Sequence, residues 1–110
     1  MSEFSEFENE VITGTKGLAQ RTLANFATQA TSDTQQFIDN QKQKLITWGN
    51  QLKNRQIDAE QFEFNVGGQL DLAEMHALTQ AGITAVQVQQ FRDALIKIVV
   101  DAAVKHFIPI

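Results

Sequence analysis

Apolar residues recur at helical spacing through the first half of the chain, and the aromatic ones among them recur every 11 positions. Phe26, Phe37 and Trp48 follow this step, which projects back through Thr15 to Phe4. Eleven residues make three turns of an α-helix, so these side chains lie on nearly one stripe. Two companion rows keep the same step: Ile12, Leu23, Thr34 and Leu45, and Ala19, Ala30, Gln41 and Leu52. The pattern predicts a long amphipathic helical arm.

The arm has two places where a helix can kink or end. Residues 13–17 contain two glycines, each of which costs about 1 kcal/mol relative to alanine inside a helix. Residues 31–34 read Thr-Ser-Asp-Thr, whose side chains favour caps and turns. Without a break, residues 18–54 would form a rod of about 55 Å at a rise of 1.5 Å per residue. The pattern leaves open whether residues 3–54 form one helix or two.

Cap signals divide the second half of the chain into three shorter helices. Asp58 with Gln61, and Thr84 with Gln87, have the spacing of an N-cap residue and its reciprocal partner. Glycines mark the expected ends, so we predict helices from residue 59 to Gly67–Gly68, from about 70 to 81, and from about 85 to 107. The predicted shared core consists of Phe62, Phe64, Leu72, Met75, Leu78, Phe91, Leu95 and Val99.

Composition supports an all-α fold with two parts, a helical arm over residues 1–54 and a compact helical module over residues 55–110. The chain has one proline and six glycines among 110 residues, which leaves long stretches without a helix breaker. Its apolar fraction of 43% and charged fraction of 20% are ordinary for a globular protein. There is no cysteine, which excludes disulfides, thiolate metal sites and cysteine nucleophiles.

No motif in the chain indicates catalysis. The sequence lacks a Gly-x-Ser-x-Gly elbow, a phosphate-binding Walker loop and a dinucleotide-binding fingerprint. His76 and His106 lie on different predicted helices, and neither belongs to a recognised metal-binding pattern. We therefore expect no enzyme activity, no metal and no cofactor.

The last predicted helix has more apolar surface than one contact face requires. Asp93, Lys97, Asp101 and Lys105 form a narrow stripe of alternating charge, and most other positions are apolar. A surface helix of a globular protein needs an apolar arc only a little wider than about 100°. The surplus here, together with the arm's stripe, indicates contact with another chain.

This surplus predicts a non-catalytic structural or adaptor subunit, which self-associates in a helical bundle or coiled coil or docks on a larger protein assembly. On this interpretation Phe37→Asp disrupts the assembly and leaves residues 57–108 helical. The predicted oligomer or partner interface consists of Leu23, Phe26, Ala30, Phe37, Leu45, Trp48, Leu52, Ile96, Val100, Val104 and Phe107.

Two alternatives remain from other functional classes. An amphipathic helix of this kind can also lie on a membrane surface, which makes a lipid-interface protein the main alternative. The outline helix-turn-helix over residues 75–95 makes weak nucleic-acid binding the third hypothesis, although a net charge of −4 disfavours it. A possible patch for an anionic ligand combines bases with an indole: Lys42, Lys44, Trp48, Lys53 and Arg55.

Nothing in the sequence predicts export or membrane insertion. The first ten residues contain four glutamates and no base, and no run of 18 apolar residues occurs. We expect a cytoplasmic protein, with a peripheral membrane location as the alternative. The pattern does not determine the stoichiometry, the helix orientation or the identity of a partner.

Overall fold

The computed structural model describes residues 3–108, which form six α-helices and one short 3-10 turn. The elements are α1 (Glu3–Thr22), the 3-10 turn (Ala24–Phe26), α2 (Ala27–Asn40), α3 (Lys42–Lys53), α4 (Ala59–Leu72), α5 (His76–Gln80) and α6 (Ala85–Phe107). No strand occurs in these residues. The all-α prediction is confirmed, and a helical first half followed by three helices also matches the expectation.

Residues 3–54 are divided into three α-helices and do not form one rod. α1 ends at Thr22, the Phe26 N–H donates a hydrogen bond of 2.6 Å to the Leu23 carbonyl, and α2 meets α3 at Gln41. The predicted kinks were misplaced, because residues 13–17 and 31–34 lie inside α1 and α2. The break at residues 23–26 lets α2 pack against α1, and this packing outweighs the local preference for a continuous helix.

The overall dimensions agree with a compact fold. The longest extent is 42 Å, shorter than the rod of about 55 Å that an unbroken helix would form. The radius of gyration is 13.5 Å, close to the value of about 13 Å expected for a compact domain of this length.

Helix α6 lies at the centre of the fold and contacts α1, α3, α4 and α5. Against α1, the rings of Phe7 and Phe107 pack with centroids 5.3 Å apart and planes tilted by 46°. The most deeply buried side chains of α4 and α6 include Phe62, Val66, Leu70, Leu95 and Val99. The core therefore joins the first half of the chain to the second.

The 11-residue rows correctly identify positions that face inward. Phe37 and Thr15 of the aromatic row are buried, and Phe4, Phe26 and Trp48 are half-buried. Members of the two companion rows are likewise buried or half-buried. These side chains face other helices of the same chain, because the breaks after α1 and α2 fold the stripe onto itself.

Two glycines mark points where helices approach closely. A Cβ atom added to Gly14 of α1 would lie 2.8 Å from Cγ2 of Ile98 on α6. A Cβ atom added to Gly49 of α3 would lie 3.0 Å from two ring carbons of Phe107. The missing side chains therefore allow α1 and α3 to pack tightly on α6.

Helix α4 continues through Gly67 and Gly68, where the sequence predicted its end. Neither glycine has a positive φ; within residues 3–108 the positive-φ residues are Arg55 (φ 61°) and Gly82 (φ 92°). α4 ends at Leu72, and the Arg92 guanidinium donates a hydrogen bond to the carbonyl of the next residue, Ala73. The predicted helix over 70–81 is accordingly reduced to the five residues of α5.

Asp33 of α2 caps the start of helix α5. The buried Asp33 carboxylate accepts hydrogen bonds from the backbone N–H groups of Ala77 and Leu78, both at 2.9 Å. These N–H groups belong to the first turn of α5, where no partner exists within the helix. A residue from the run predicted to break the arm therefore caps a different helix.

The two predicted N-caps are confirmed. The Asp58 side chain accepts a hydrogen bond of 2.8 Å from the Gln61 N–H at the start of α4. Thr84 and Gln87 form a reciprocal capping box at the start of α6. This box explains why α6 begins where the sequence predicted.

Candidate interaction surface

Six members of the predicted interface lie in the core of a single chain, which corrects the sequence interpretation. Their side chains pack against other helices of the same molecule, and none is more than 6% exposed. The arm therefore has no continuous apolar stripe left for a partner. These residues are Leu23, Ala30, Phe37, Leu45, Leu52 and Phe107.

The other five predicted interface residues are partly accessible. Phe26 and Trp48 are half-buried and pack against the core, as do Ile96 and Val100 of α6. Val104 is 39% exposed. Ile96, Val100 and Val104 follow one another at four-residue steps, and Cδ1 of Ile96 lies 3.6 Å from the position that a Cβ of Gly67 would take. This edge of α6 therefore borders α4.

The outer face of α4 presents two large apolar side chains to solvent. Phe64 is 77% exposed and Leu72 is 79% exposed, although the sequence placed both in the core. Each lies two residues, or about 200° of helix rotation, from a buried neighbour on α4, Phe62 or Leu70. The sequence prediction overlooked this spacing for Phe64, and the misplaced helix end assigned Leu72 to the next helix.

Gly68 lies between these two side chains on the same stripe. Phe64, Gly68 and Leu72 are separated by four residues each, and we call this set the α4 ridge. A Cβ atom added to Gly68 would have no neighbour within 4 Å. The ridge thus has an apolar projection at each end and a gap in its middle.

No contact within the described residues accounts for the glycine at position 68. Glycine in a helix interior costs about 1 kcal/mol relative to alanine. Gly14 and Gly49 offset that cost by allowing α6 to approach, whereas Gly68 faces open space and has no positive φ.

Negative charge is concentrated around the α4 ridge. Residues 56–91 contain five acidic residues and no lysine or arginine, whereas the rest of the chain has nine bases and eight acids. Within α4 the acids are Glu60, Glu63 and Asp71, and none of them forms an ion pair among residues 3–108. The helix of the ridge therefore has three acids that form no such ion pair and no base of its own, while the Lys44 ammonium contacts Gln69 and the Arg92 guanidinium contacts the Ala73 carbonyl.

The residues of the possible anionic-ligand patch do not converge on one side of α3. The Lys42 ammonium lies 5.8 Å from the centroid of the Phe4 ring on α1. The Lys44 ammonium donates a 3.4 Å hydrogen bond to Gln69 on α4. Trp48 is half-buried against the core, and Lys53 and Arg55 are exposed at the end of α3. The bases thus serve different neighbours.

Lys42 also lines an open cleft of about 420 Å³ between α1, α3 and α6. Glu8 also lines this cleft, and its carboxylate accepts a 2.6 Å hydrogen bond from the Gln35 amide. The cleft lining consists of Phe4, Ser5, Glu8, Lys42, Ile46, Asn50 and Phe107.

A cluster of charged side chains joins α1 to α6. The Glu10 carboxylate lies 3.1 Å from the Lys105 ammonium and 3.0 Å from Nε2 of His106, whose Nδ1 lies 3.9 Å from Glu6. Partial burial opposes ionisation of Glu10. Hydrogen bonds from Lys105 and His106, together with their positive charge, outweigh burial and lower the pKa of Glu10 below its ordinary value of 4.5. This cluster is called the α1–α6 ion cluster below.

The described residues contain neither a metal-binding cluster nor a membrane-spanning helix. Across residues 3–108, no group of three or more histidine, aspartate or glutamate side chains is arranged to hold a metal ion. None of the helices described above is both long enough and apolar enough to span a bilayer.

No protein-family model matches the chain, and no curated protein or solved structure matches it.

Proposed function

We propose that this protein is a non-catalytic structural or adaptor subunit that binds a helix of another protein at the α4 ridge. The observation that carries this proposal is the gap at Gly68 between two apolar side chains that are more than three-quarters exposed. A glycine without an intramolecular role, placed between two such side chains, is typical of a site where another backbone or side chain approaches closely.

Burial of Phe64 and Leu72 would supply useful binding energy. Each contributes little to the chain's own core, and full burial of a large apolar side chain is worth about 1.5–3 kcal/mol. Aromatic side chains that fill pockets at the centre of an interface often dominate its affinity. Burial of the two side chains would therefore provide enough free energy for a small docking site.

Helix-on-helix packing suits the shape of the ridge. Side chains at four-residue steps form the ridges that pack into the grooves of a second helix. Phe64 and Leu72 would lie on either side of a partner side chain seated over Gly68. The acidic residues of α4 disfavour an anionic bilayer as the surface that covers this site.

Site-specific photo-cross-linking in the cells that produce the protein tests the proposal. A photoreactive phenylalanine analogue in place of Phe64, which leaves the gap at Gly68 open, should cross-link to one defined protein segment, identified by mass spectrometry. The same analogue at Thr28, which is exposed on α2, is the matched control. Equal and diffuse cross-linking from both positions would contradict the proposal.

Two substitutions strengthen this test. Leu72→Asp and Gly68→Leu in the photoreactive protein should each reduce the specific cross-link by at least about tenfold, because the first removes an apolar contact of about 1.5–3 kcal/mol and the second fills the gap. Both positions are exposed, so the melting temperature should remain close to that of the parent protein. A cross-link to a second copy of this chain would assign the ridge to self-association and would still support a structural role.

A further inference from the structure

We infer that the partner element is an amphipathic helix with lysine or arginine residues beside its apolar stripe. The inference rests on the proposed function and adds the chemistry of the partner. It follows from two features of α4, the dimensions of the gap at Gly68 and the distribution of charge around it.

The dimensions of the ridge fit one medium-sized apolar side chain. Phe64 and Leu72 are eight residues apart, which corresponds to about 12 Å along the helix axis. Gly68 lies midway and leaves the backbone uncovered between them. A leucine or methionine of a crossing helix would contact the glycine backbone and both flanking side chains, as a knob enters a hole.

The charge distribution selects a basic partner. Glu60 lies one helical turn before Phe64, and Asp71 is adjacent to Leu72, so acids flank both ends of the ridge. No lysine or arginine occurs from residue 56 to residue 91, and the three acids of α4 form no ion pair within residues 3–108. The two bases that reach α4 from other elements, Lys44 and Arg92, donate hydrogen bonds to the Gln69 amide oxygen and the Ala73 carbonyl. Basic residues on the partner would lie within the screening length of about 8 Å at physiological ionic strength.

The same distribution disfavours a second copy as the occupant. Packing α4 against α4 of another molecule would place acidic side chains opposite acidic side chains around the apolar contact. Like charges opposed across an interface suppress association. A helix from a different protein, with apolar and basic positions combined, satisfies both features.

Two synthetic helical peptides provide the probe. They share the same stripe of leucine and alanine and differ only in whether lysine or glutamate occupies the flanking positions. Fluorescence anisotropy of the labelled peptides, titrated with the full chain, should show that the lysine peptide binds at least about tenfold more tightly. Raising the salt concentration from 0.05 M to 0.5 M should weaken lysine-peptide binding several-fold because the opposed charges are screened.

Charge-matched variants test where the peptide binds. Glu60→Gln/Asp71→Asn should reduce affinity for the lysine peptide about fivefold. Asp39→Asn/Asp101→Asn changes the net charge equally at exposed positions outside α4 and should leave the affinity within about twofold. Gly68→Leu, which fills the gap, should reduce binding at least about tenfold and leave the helical content unchanged, because no atom of the chain lies within 4 Å of an added Cβ.

The outcomes separate this inference from the proposed function. Equal affinity for both peptides, with loss of both on Phe64→Asp, would overturn the basic-partner inference and leave the docking site intact. If both charge-matched double variants reduced affinity for the lysine peptide equally, the inference would also be overturned, since the acids of α4 would then contribute no more than acids elsewhere on the surface. If neither peptide binds while the analogue at position 64 cross-links specifically in cells, the inference fails and the proposed function stands.

Discussion

At the scale of single residues, glycines in this protein have unequal roles that sequence alone does not distinguish. Gly14 and Gly17 lie three residues apart in α1, and both weaken the helix intrinsically. Only the structure reveals that position 14 faces Ile98, whereas position 17 has its nearest neighbour in the terminal nitrogen of Arg21, at 3.4 Å. Helix propensity is a local property, and the approach of α6 is not.

We predict opposite effects for the same substitution at these two glycines. Gly14→Ala should lower the free energy of unfolding by about 1–2 kcal/mol, because its methyl group would lie 2.8 Å from Cγ2 of Ile98. Gly17→Ala should raise it by about 0.5–1 kcal/mol through helix propensity. Urea denaturation followed by circular dichroism measures both. In an Ile98→Ala background, Gly14→Ala should cost less stability because the side chain that its methyl group meets is shortened. If Gly14→Ala alone stabilised the protein, the close contact would be contradicted.

Asp33 is a second residue whose role depends on the fold. The sequence indicated that residues 31–34 favour capping, which is correct for Asp33, but the capped helix is α5, 44 residues away. Spacing rules recognise caps within a few residues of a helix start and therefore do not detect a cap supplied from another helix.

Removal of this carboxylate should be costly. We expect Asp33→Ala to lower the free energy of unfolding by about 2–3 kcal/mol, since two backbone N–H groups lose a charged acceptor. Asp33→Asn, which retains one acceptor oxygen, should cost about half as much. Asp39→Ala, an exposed position of the same helix, is the control and should change stability by less than about 0.5 kcal/mol. Equal effects at both positions in thermal melts would argue against the cap.

At the scale of elements, the pairing of α1 with α6 has a pH-dependent component in the α1–α6 ion cluster. Because the pKa of Glu10 is lowered in the folded protein, ionised Glu10 stabilises the fold at neutral pH. This contribution is present above the ordinary carboxyl pKa of about 4.5 and is lost as the pH falls through the lower, folded-state value.

Glu10→Gln isolates this contribution. The free energy of unfolding of the variant should be lower than that of the parent protein by up to about 1 kcal/mol at pH 7. The loss is small because solvent around the exposed Lys105 ammonium weakens its attraction to Glu10. The difference should shrink as the pH is lowered below about 4.5. Glu63→Gln, which removes a carboxylate without an ion pair among the described residues, should show no such trend. A pH-independent difference in urea titrations would contradict the assignment.

Element boundaries illustrate what periodicity can and cannot determine. The Thr84 capping box and the apolar pattern together predicted α6 correctly, because both signals are local. The 11-residue rows identified inward-facing positions, but they do not specify whether the facing helix belongs to the same chain. The break at residues 23–26 contains neither glycine nor proline. Its cause is the packing of α2 on α1, which a local sequence pattern does not encode.

The α4 ridge was missed for a related reason. Gly67 and Gly68 have the appearance of a helix end, and that interpretation assigned Leu72 to the core of the next helix. Phe64 was placed in the core although it lies two residues, or about 200° of helix rotation, from Phe62. A continuous helix turns both side chains outward. The local excess of acids over residues 56–91 was visible in the sequence and could have indicated an exposed face.

At the scale of the whole molecule, the first and second halves share one core. The arm was expected to mediate assembly independently of residues 57–108, with Phe37→Asp affecting only the assembly. Phe37 is instead 4% exposed inside the chain. A carboxylate there would be buried without a partner, at a cost that can exceed about 4 kcal/mol.

We therefore predict that Phe37→Asp unfolds the whole chain. Circular dichroism at 222 nm should show loss of most helical signal at 25 °C or a melting temperature lowered by more than about 15 °C. Phe64→Asp introduces the same charge at an exposed phenylalanine and should melt almost like the parent protein. Retention of native-like helix over residues 57–108 in the Phe37→Asp variant would contradict a shared core.

The contact between Phe7 and Phe107 has a consequence for synthesis on the ribosome. The aromatic face of α1 is translated first, yet its partner on α6 follows 100 residues later. At translation rates of about 5–20 residues per second, α1 waits about 5–20 s for that partner. During this interval the Phe7 ring lacks its aromatic partner on α6, so the nascent chain exposes more of this ring than the folded protein does.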